Sequence, residues 1–225
     1  MSIVHRLRTW FYSYLEPEDI LAELIFSLLM VMGVTGAVHL STLDSASDCR
    51  LLLWAALGCN VAWGLVDAII FVLTSVLERR RRVRFVRLIQ SAPTSAEAEQ
   101  ILAHRVDAFL GSAVPMELSA KLRSELLALI RRITPQSGGV RGDDLVGAVI
   151  TFFLVMLTTL PVIFPFLLTI TPRLALRLSH LIAVILLFLT GLLWAKHADV
   201  KPIKAGIASV ITGVLLSLLI IALGG

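Results

Sequence analysis

Four carboxylates lie next to or inside apolar segments of the chain. Glu16, Asp19 and Glu23 are spaced three and four residues apart, which places them on one face of a helix. Asp67 is the only charged residue between positions 51 and 77. Carboxylate oxygens suit hard or borderline divalent cations, and an ionised carboxylate at bilayer depth costs at least about 2.5 kcal/mol. The four residues are therefore candidate ligands for a divalent metal ion.

Each of these carboxylates also has a structural interpretation that the sequence leaves open. Glu16 and Asp19 precede or begin an apolar helix, where negative charge stabilises the positive end of the helix dipole. Glu23 lies deeper, so a functional role is favoured more strongly there. Asp67 has the alternative role of a hydrogen-bond partner for another helix, with Asn60 nearby.

Five apolar segments are long enough to cross a bilayer, at about residues 20–40, 51–77, 145–170, 174–195 and 203–223. The chain is 57% apolar and 16% charged, whereas soluble domains are nearer a quarter charged. Its mean hydropathy is +0.89. We therefore predict an all-α polytopic membrane protein with five transmembrane helices. The net charge of +4 does not indicate nucleic-acid binding, because the basic residues flank membrane spans, where membrane lipid is the expected partner.

The only long polar segment lies between the second and third spans. The second span is followed by an arginine-rich helix, which Pro93 breaks. Thr94 followed by Glu97 then fits a capping box. Two amphipathic helices follow, so we predict a small helical domain. The predicted organisation is an N-terminal interfacial helix with transmembrane helices 1–2 (residues 1–77), a cytoplasmic helical domain (78–143) and transmembrane helices 3–5 (144–225).

The distribution of Lys and Arg predicts the topology, because basic residues concentrate on the cytoplasmic side. The predicted inner segments carry Arg6, Arg8, Arg79, Arg80, Arg81, Arg82, Arg84, Arg87, Lys196, Lys201 and Lys204. The predicted outer segments carry only Arg50, Arg173 and Arg177. We therefore expect a cytoplasmic N-terminus and an outside C-terminus, in a bacterial inner membrane or an organelle membrane.

Several catalytic signatures are absent from the sequence. It has no glycine-rich phosphate loop followed by Lys-Ser or Lys-Thr, no His-Glu-x-x-His pair and no Ser/His/Asp set with a convincing spacing. We therefore expect neither an enzyme nor a resident cofactor, and no pump driven by ATP hydrolysis.

Particular residues resemble the vacuolar iron transporter family, whose members have five spans and a cytoplasmic helical domain between the second and third. The segment from Leu160 to Leu167 resembles the Pro-x-x-x-Pro of the family's third span. Gly33 to Ala37 resembles the small-residue end of its first span, and residues 186–196 and 206–224 are similar to its last two spans. Gly64 to Ala68 resembles an Ala-Asp-Gly segment, which places Asp67 at the family's acidic position.

The resemblance implies a homodimer that exports a divalent metal, iron or manganese, from the cytosol in exchange for protons. Glu23 and Asp67 would then be the intramembrane carboxylates that bind metal ions or protons, and Glu16 and Asp19 would collect cations at the cytoplasmic mouth. The chain also departs from the family pattern: Ile70, Phe71 and Ser75 stand where the family has Ser, Met and Glu, and the cytoplasmic domain lacks its dense Glu-x-x-Glu repeats. These departures favour an alternative, a transport-deficient member that acts as a membrane scaffold or binds a partner.

Overall fold

The computed structural model describes residues 14–39, 46–110, 116–135, 138–168 and 171–223, and in these ranges all regular structure is helical. The predicted interfacial helix at 3–15 lies almost wholly outside these ranges. The helices are α1 (Pro17–His39), α2 (Ala46–Gln90), α3 (Ser95–Leu110), α4 (Met116–Ile130), α5 (Gly142–Ile163), α6 (Pro172–Ala198) and α7 (Pro202–Ala222), with a 3₁₀ turn at Phe164–Leu167.

Five of these helices are long and apolar enough to cross a membrane. The candidate spans are Pro17–Gly36, Leu53–Gln90, Gly142–Leu167, Pro172–Ala198 and Pro202–Ile220. The prediction of an all-α chain with five apolar spans is confirmed, and the fold is compatible with a multi-pass integral membrane protein.

Two helix boundaries differ from the prediction. Helix α2 begins at Ala46, before the predicted start of the second span at residue 51. Helix α5 ends at Ile163 and continues as the 3₁₀ turn, whereas the third span was predicted to run to about residue 170. Pro165 explains this second difference, because it has no N–H to donate and its ring clashes with the carbonyl group of Pro161. The backbone N–H of Leu168 instead donates to the carbonyl oxygen of Pro165 at 3.2 Å.

The chain divides into two compact units, Met1–Val72 with Gly142–Gly225, and Leu73–Arg141. In the first unit, α6 packs most extensively against α7, and α1 contacts α5, α6 and α7. The fully buried side chains at its centre include Leu28, Val31, Val162 and Leu187. Helix α1 is therefore the central element of this unit.

Small residues allow α6 and α7 to approach closely. A Cβ atom at Gly191 would lie 2.7 Å from both the carbonyl oxygen of Ala205 and the Cα atom of Gly206. Both of those atoms belong to backbone, which cannot move aside as a flexible side chain can. Close backbone approach increases van der Waals contact, the main attraction between helices in lipid.

The second unit is a small helical assembly with its own core of Ile89, Ala98, Leu102 and Leu127. The predicted cap of α3 is confirmed in part, because the backbone N–H of Glu97 donates to Thr94 Oγ1 at 3.2 Å.

Side-chain caps also hold the connections of this unit in place. Gln90 Nε2 donates to the carbonyl oxygen of Ile130, the last residue of α4, at 2.9 Å and to that of Ile133, three residues further on, at 2.7 Å. These bonds tie the end of α2 to the end of α4 and the turn that follows it.

We expect Gly191→Ala to lower the free energy of unfolding by about 1–3 kcal/mol, because the added methyl group overlaps the backbone of α7. Gly58→Ala is the matched control, since a Cβ atom there would meet nothing within 4 Å. The control should be neutral or stabilising by up to about 1 kcal/mol, because Ala favours helix over Gly. Unfolding of both variants in the same detergent measures the difference. Equal stability of the two variants would contradict the close contact.

Candidate functional site

The structure brings together two of the four predicted site residues. Glu23 lies in the second turn of α1 and Asp67 lies on α2, and their carboxyl groups are close enough to share a hydrogen bond. Both side chains are half-buried. Glu23 and Asp67, which the sequence places furthest inside apolar segments, thus form one site that connects α1 to α2.

A hydrogen bond between two carboxyl groups requires a proton. An ionised carboxylate has acceptor oxygens only, so one of the two groups must be protonated to act as the donor. Without that proton, two negative charges would face each other where little solvent screens them, which is strongly unfavourable. The pair is therefore favourable only when a proton or another positive charge lies between the two carboxyl groups.

One oxygen of the pair remains available for a further ligand. Asp67 Oδ2 is buried and makes no hydrogen bond within the described part of the chain. Trp63 Nε1, one turn earlier on α2, is likewise buried without an acceptor in those ranges. The Trp63 ring lies against Phe26 of α1, with centroids 6.4 Å apart. An aromatic contact thus borders the carboxyl pair on the side of Trp63.

Asp19 and Glu16 extend this acidic face towards the start of α1. Asp19 lies one turn before Glu23, and its negative charge acts on Glu23. Glu16 immediately precedes the helix, and its carbonyl oxygen accepts from the backbone N–H of Ile20 at 3.1 Å. Both side chains are exposed and take part in other polar or electrostatic interactions.

A metal cage made only of side chains is not formed in the described ranges. There, no group of three or more His, Cys, Asp or Glu side chains lies in an arrangement that could hold a metal ion. The carboxyl pair could supply two ligand residues, and oxygen from water or backbone carbonyl groups would have to complete the coordination of a divalent ion. The role of Glu16 and Asp19 as metal ligands stays a prediction.

Asn60 bonds to Thr159 of α5 and not to Asp67. Its Nδ2 donates to the carbonyl oxygen of Ala56 at 2.9 Å, and its Oδ1 accepts from Thr159 Oγ1 of α5 at 2.9 Å. Asn60 and Thr159 are both fully buried. This bond joins α2 to α5 and leaves Asp67 to pair with Glu23.

A second polar contact, between Thr35 and His180, links α1 to α6. Thr35 Oγ1 lies 3.2 Å from His180 Nε2. Thr35 is about 18 Å along α1 from Glu23, so the two polar sites are well separated. The sequence carries no local signal for this contact, because the two residues are 145 positions apart.

Two helices carry stripes of small residues spaced four apart, and both stripes pack inside the chain. They are Ala56, Asn60, Gly64 and Ala68 of α2, and Ala205, Ser209, Gly213 and Ser217 of α7. Gly64 of α2 packs against the Phe152 ring of α5, and Gly213 of α7 packs against Leu187 of α6. The Phe71 ring packs against Gly147. Phe71 stands where the family that this chain resembles has a thioether. These contacts lie within one subunit and account for the small residues. The stripes are therefore no separate evidence for a dimer.

Comparison of the chain with protein-family models, curated proteins and solved structures finds no match. The functional assignment therefore rests on the residues and their geometry.

We expect Glu23→Leu to destabilise the protein by about 1–3 kcal/mol, because it leaves the half-buried Asp67 without its hydrogen-bond partner. Glu23→Gln should be closer to the parent, since the amide can donate to the Asp67 carboxylate. Glu18→Leu, at an exposed position of the same helix, is the control for adding an apolar side chain. Thermal unfolding in detergent measures all three. The hydrogen bond would be unimportant for stability if Glu23→Leu and Glu18→Leu unfolded alike.

Proposed function

We propose that this protein transports a divalent metal ion, manganese or iron, out of the cytosol in exchange for protons. The observation that carries the proposal is the hydrogen-bonded pair of Glu23 and Asp67 on two apolar helices. Ionisable residues within membrane helices are costly and are found mostly on ion and proton pathways.

The proposed exchange follows from the charge of the pair. When a divalent ion arrives, the shared proton leaves, and two carboxylates then face a cation of charge +2. When the metal ion departs, a proton must return, because the bare dianion is strongly unfavourable in this setting. Metal and proton therefore exclude each other at one site, which is the coupling that an exchanger requires.

The oxygen ligands that the carboxyl pair offers favour a hard metal cation over a softer one. Carboxylate, carbonyl and water oxygens suit manganese, whereas soft thioether ligands select softer metals. The family that this chain resembles has a thioether where this chain has Phe71. Manganese therefore fits this chain better than a softer ion. Exposed Glu16 and Asp19 would raise the local cation concentration at the entrance to the pair.

A second candidate function is a membrane scaffold or partner-binding protein without transport. It is favoured by the lack of a third ligand beside the carboxyl pair in the described ranges, and by the use of Phe71 for packing. In that case the pair would serve only to join α1 to α2. The homodimer implied by the resemblance is part of both proposals.

We expect Asp67→Asn to fold and insert but to lose proton-coupled metal flux by roughly 10- to 100-fold, the cost typical of disturbing a metal site. The amide preserves shape and hydrogen bonding but cannot exchange a proton. Glu23→Gln should also weaken flux, and Glu16→Gln should mainly raise the metal concentration required. Glu18→Gln, exposed on the same helix, is the control and should transport like the parent.

The assay is uptake of Mn²⁺ and Fe²⁺ into proteoliposomes, with internal pH recorded in parallel. Parental exchange of metal and protons by Asp67→Asn would show that the carboxyl pair is structural. Failure of the parent itself to move either ion would favour the scaffold function.

The proposed orientation places the N-terminus and residues 78–143 in the cytoplasm and the C-terminus outside. In a background without Cys49 and Cys59, Thr134→Cys should react with an impermeant thiol reagent only after the membrane is opened. Thr171→Cys, at an exposed position on the opposite predicted side, should react in intact cells. The reverse pattern of labelling would overturn the orientation.

A further inference from the structure

The end of α2 carries an exposed stripe that changes from apolar to basic. Leu73, Leu77, Arg81 and Arg84 follow one another at spacings of four, four and three residues, so they share one side of the helix. Leu73 and Leu77 are 63% and 47% exposed, and the two arginines are also exposed. We call these four residues the α2 stripe.

In the part of the chain that the structure describes, the two arginines of the α2 stripe differ from Arg79, Arg80 and Arg82, whose guanidinium groups are bonded. Arg79 Nη1 donates to the carbonyl oxygen of Gly139 at 2.6 Å, and Arg80 Nε donates to that of Gly138 at 3.1 Å. Arg82 forms an ion pair with Glu78 at 3.2 Å. Within the described ranges, Arg81 and Arg84 have no hydrogen bond or ion pair.

The position of the stripe along α2 matches the headgroup layer of a bilayer. The apolar segment of the helix ends at Leu77, and Arg81 and Arg84 lie about 6 and 10 Å further along the axis. The headgroup region adds roughly 5–7 Å to each side of the hydrocarbon core. A flexible arginine side chain spans the remaining distance, so both guanidinium groups can reach lipid phosphates.

The charge of the surrounding unit supports an anionic ligand. Residues 73–141 contain twelve Lys and Arg but only six Asp and Glu. The guanidinium group presents a planar fork of donors that matches phosphate oxygens, and it is weakly hydrated compared with an ammonium group. Exposed leucines directly before the arginines provide an apolar surface for acyl chains.

We propose that the α2 stripe binds an anionic phospholipid, with its phosphate held by Arg81 and Arg84 and its acyl chains against Leu73 and Leu77. This inference is independent of the transport proposal, because it uses neither Glu23 nor Asp67. A bound anionic lipid would anchor the point at which α2 leaves the membrane.

The test compares binding of phosphatidylglycerol and phosphatidylcholine, with the same acyl chains, to the purified full-length protein by native mass spectrometry. We expect Arg81→Gln with Arg84→Gln to weaken phosphatidylglycerol binding about 30-fold, since each basic residue near an anionic surface contributes a factor of about five. Phosphatidylcholine binding should not change. The matched control is Lys121→Gln with Arg132→Gln, which removes two exposed positive charges elsewhere in the same unit and should bind like the parent.

Lipid binding by a charge-preserving variant and the unfolding temperatures of all variants complete the test. Arg81→Lys with Arg84→Lys keeps the charge but loses the planar fork, so it should fall between the parent and the Gln variant. All variants should unfold at the parent's temperature in phosphatidylcholine. Parental phosphatidylglycerol binding by the Gln variant, or an equal loss in the Lys121/Arg132 control, would overturn the assignment. Displacement of the lipid by inorganic phosphate as readily as by a short-chain phosphatidylglycerol would also overturn it, because the leucines would then contribute nothing.

Discussion

One constraint acts on the unit of residues 1–72 and 142–225, the cost of placing carboxyl groups between apolar helices. Glu23 and Asp67 lie on different helices, and each would be unfavourable alone, because a low-dielectric surrounding penalises an isolated charge. A shared proton would remove one negative charge and supply the hydrogen bond that the remaining carboxylate needs. In the proposed exchange a metal ion would take the place of that proton.

Other polar contacts between helices follow the same principle. Asn60 and Thr159 join α2 to α5, and Thr35 and His180 join α1 to α6, each by a hydrogen bond between side chains. Hydroxyl groups also donate to the carbonyl oxygen one turn earlier, as Thr158 does to Leu154 at 2.7 Å. Several hydroxyl groups of the bundle are therefore satisfied within their own helix, which limits their cost in an apolar setting.

The unit of residues 73–141 is held together by different forces. Its core of Ile89, Ala98, Leu102 and Leu127 is small, and Gln90 bonds from the end of α2 to the carbonyl oxygens of Ile130 and Ile133. Its surface is strongly basic. This excess of basic residues attracts anions rather than metal cations, which is the basis of the lipid site proposed at the end of α2.

The sequence by itself determined the class of the protein and the positions of its spans. Five apolar segments of sufficient length, the cap at Thr94 and the isolated acid at Asp67 are all local signals, and hydrophobic length is the dominant constraint on a helix in lipid. Two local details were misjudged, the start of α2 and the end of α5. At α5 the reason is that Pro165 favours a 3₁₀ turn over a continued helix.

The pairing of side chains was decided only by the tertiary structure. Spacing placed Glu16, Asp19 and Glu23 on one face of a helix, but it could not show that Glu23 meets Asp67 or that Asn60 meets Thr159. It also could not show that the small-residue stripes face neighbouring helices of the same chain. Each of these contacts joins residues far apart in sequence, so it depends on how helices rotate and pack against one another. Periodicity reports the face on which a residue lies, whereas packing determines what that face contacts.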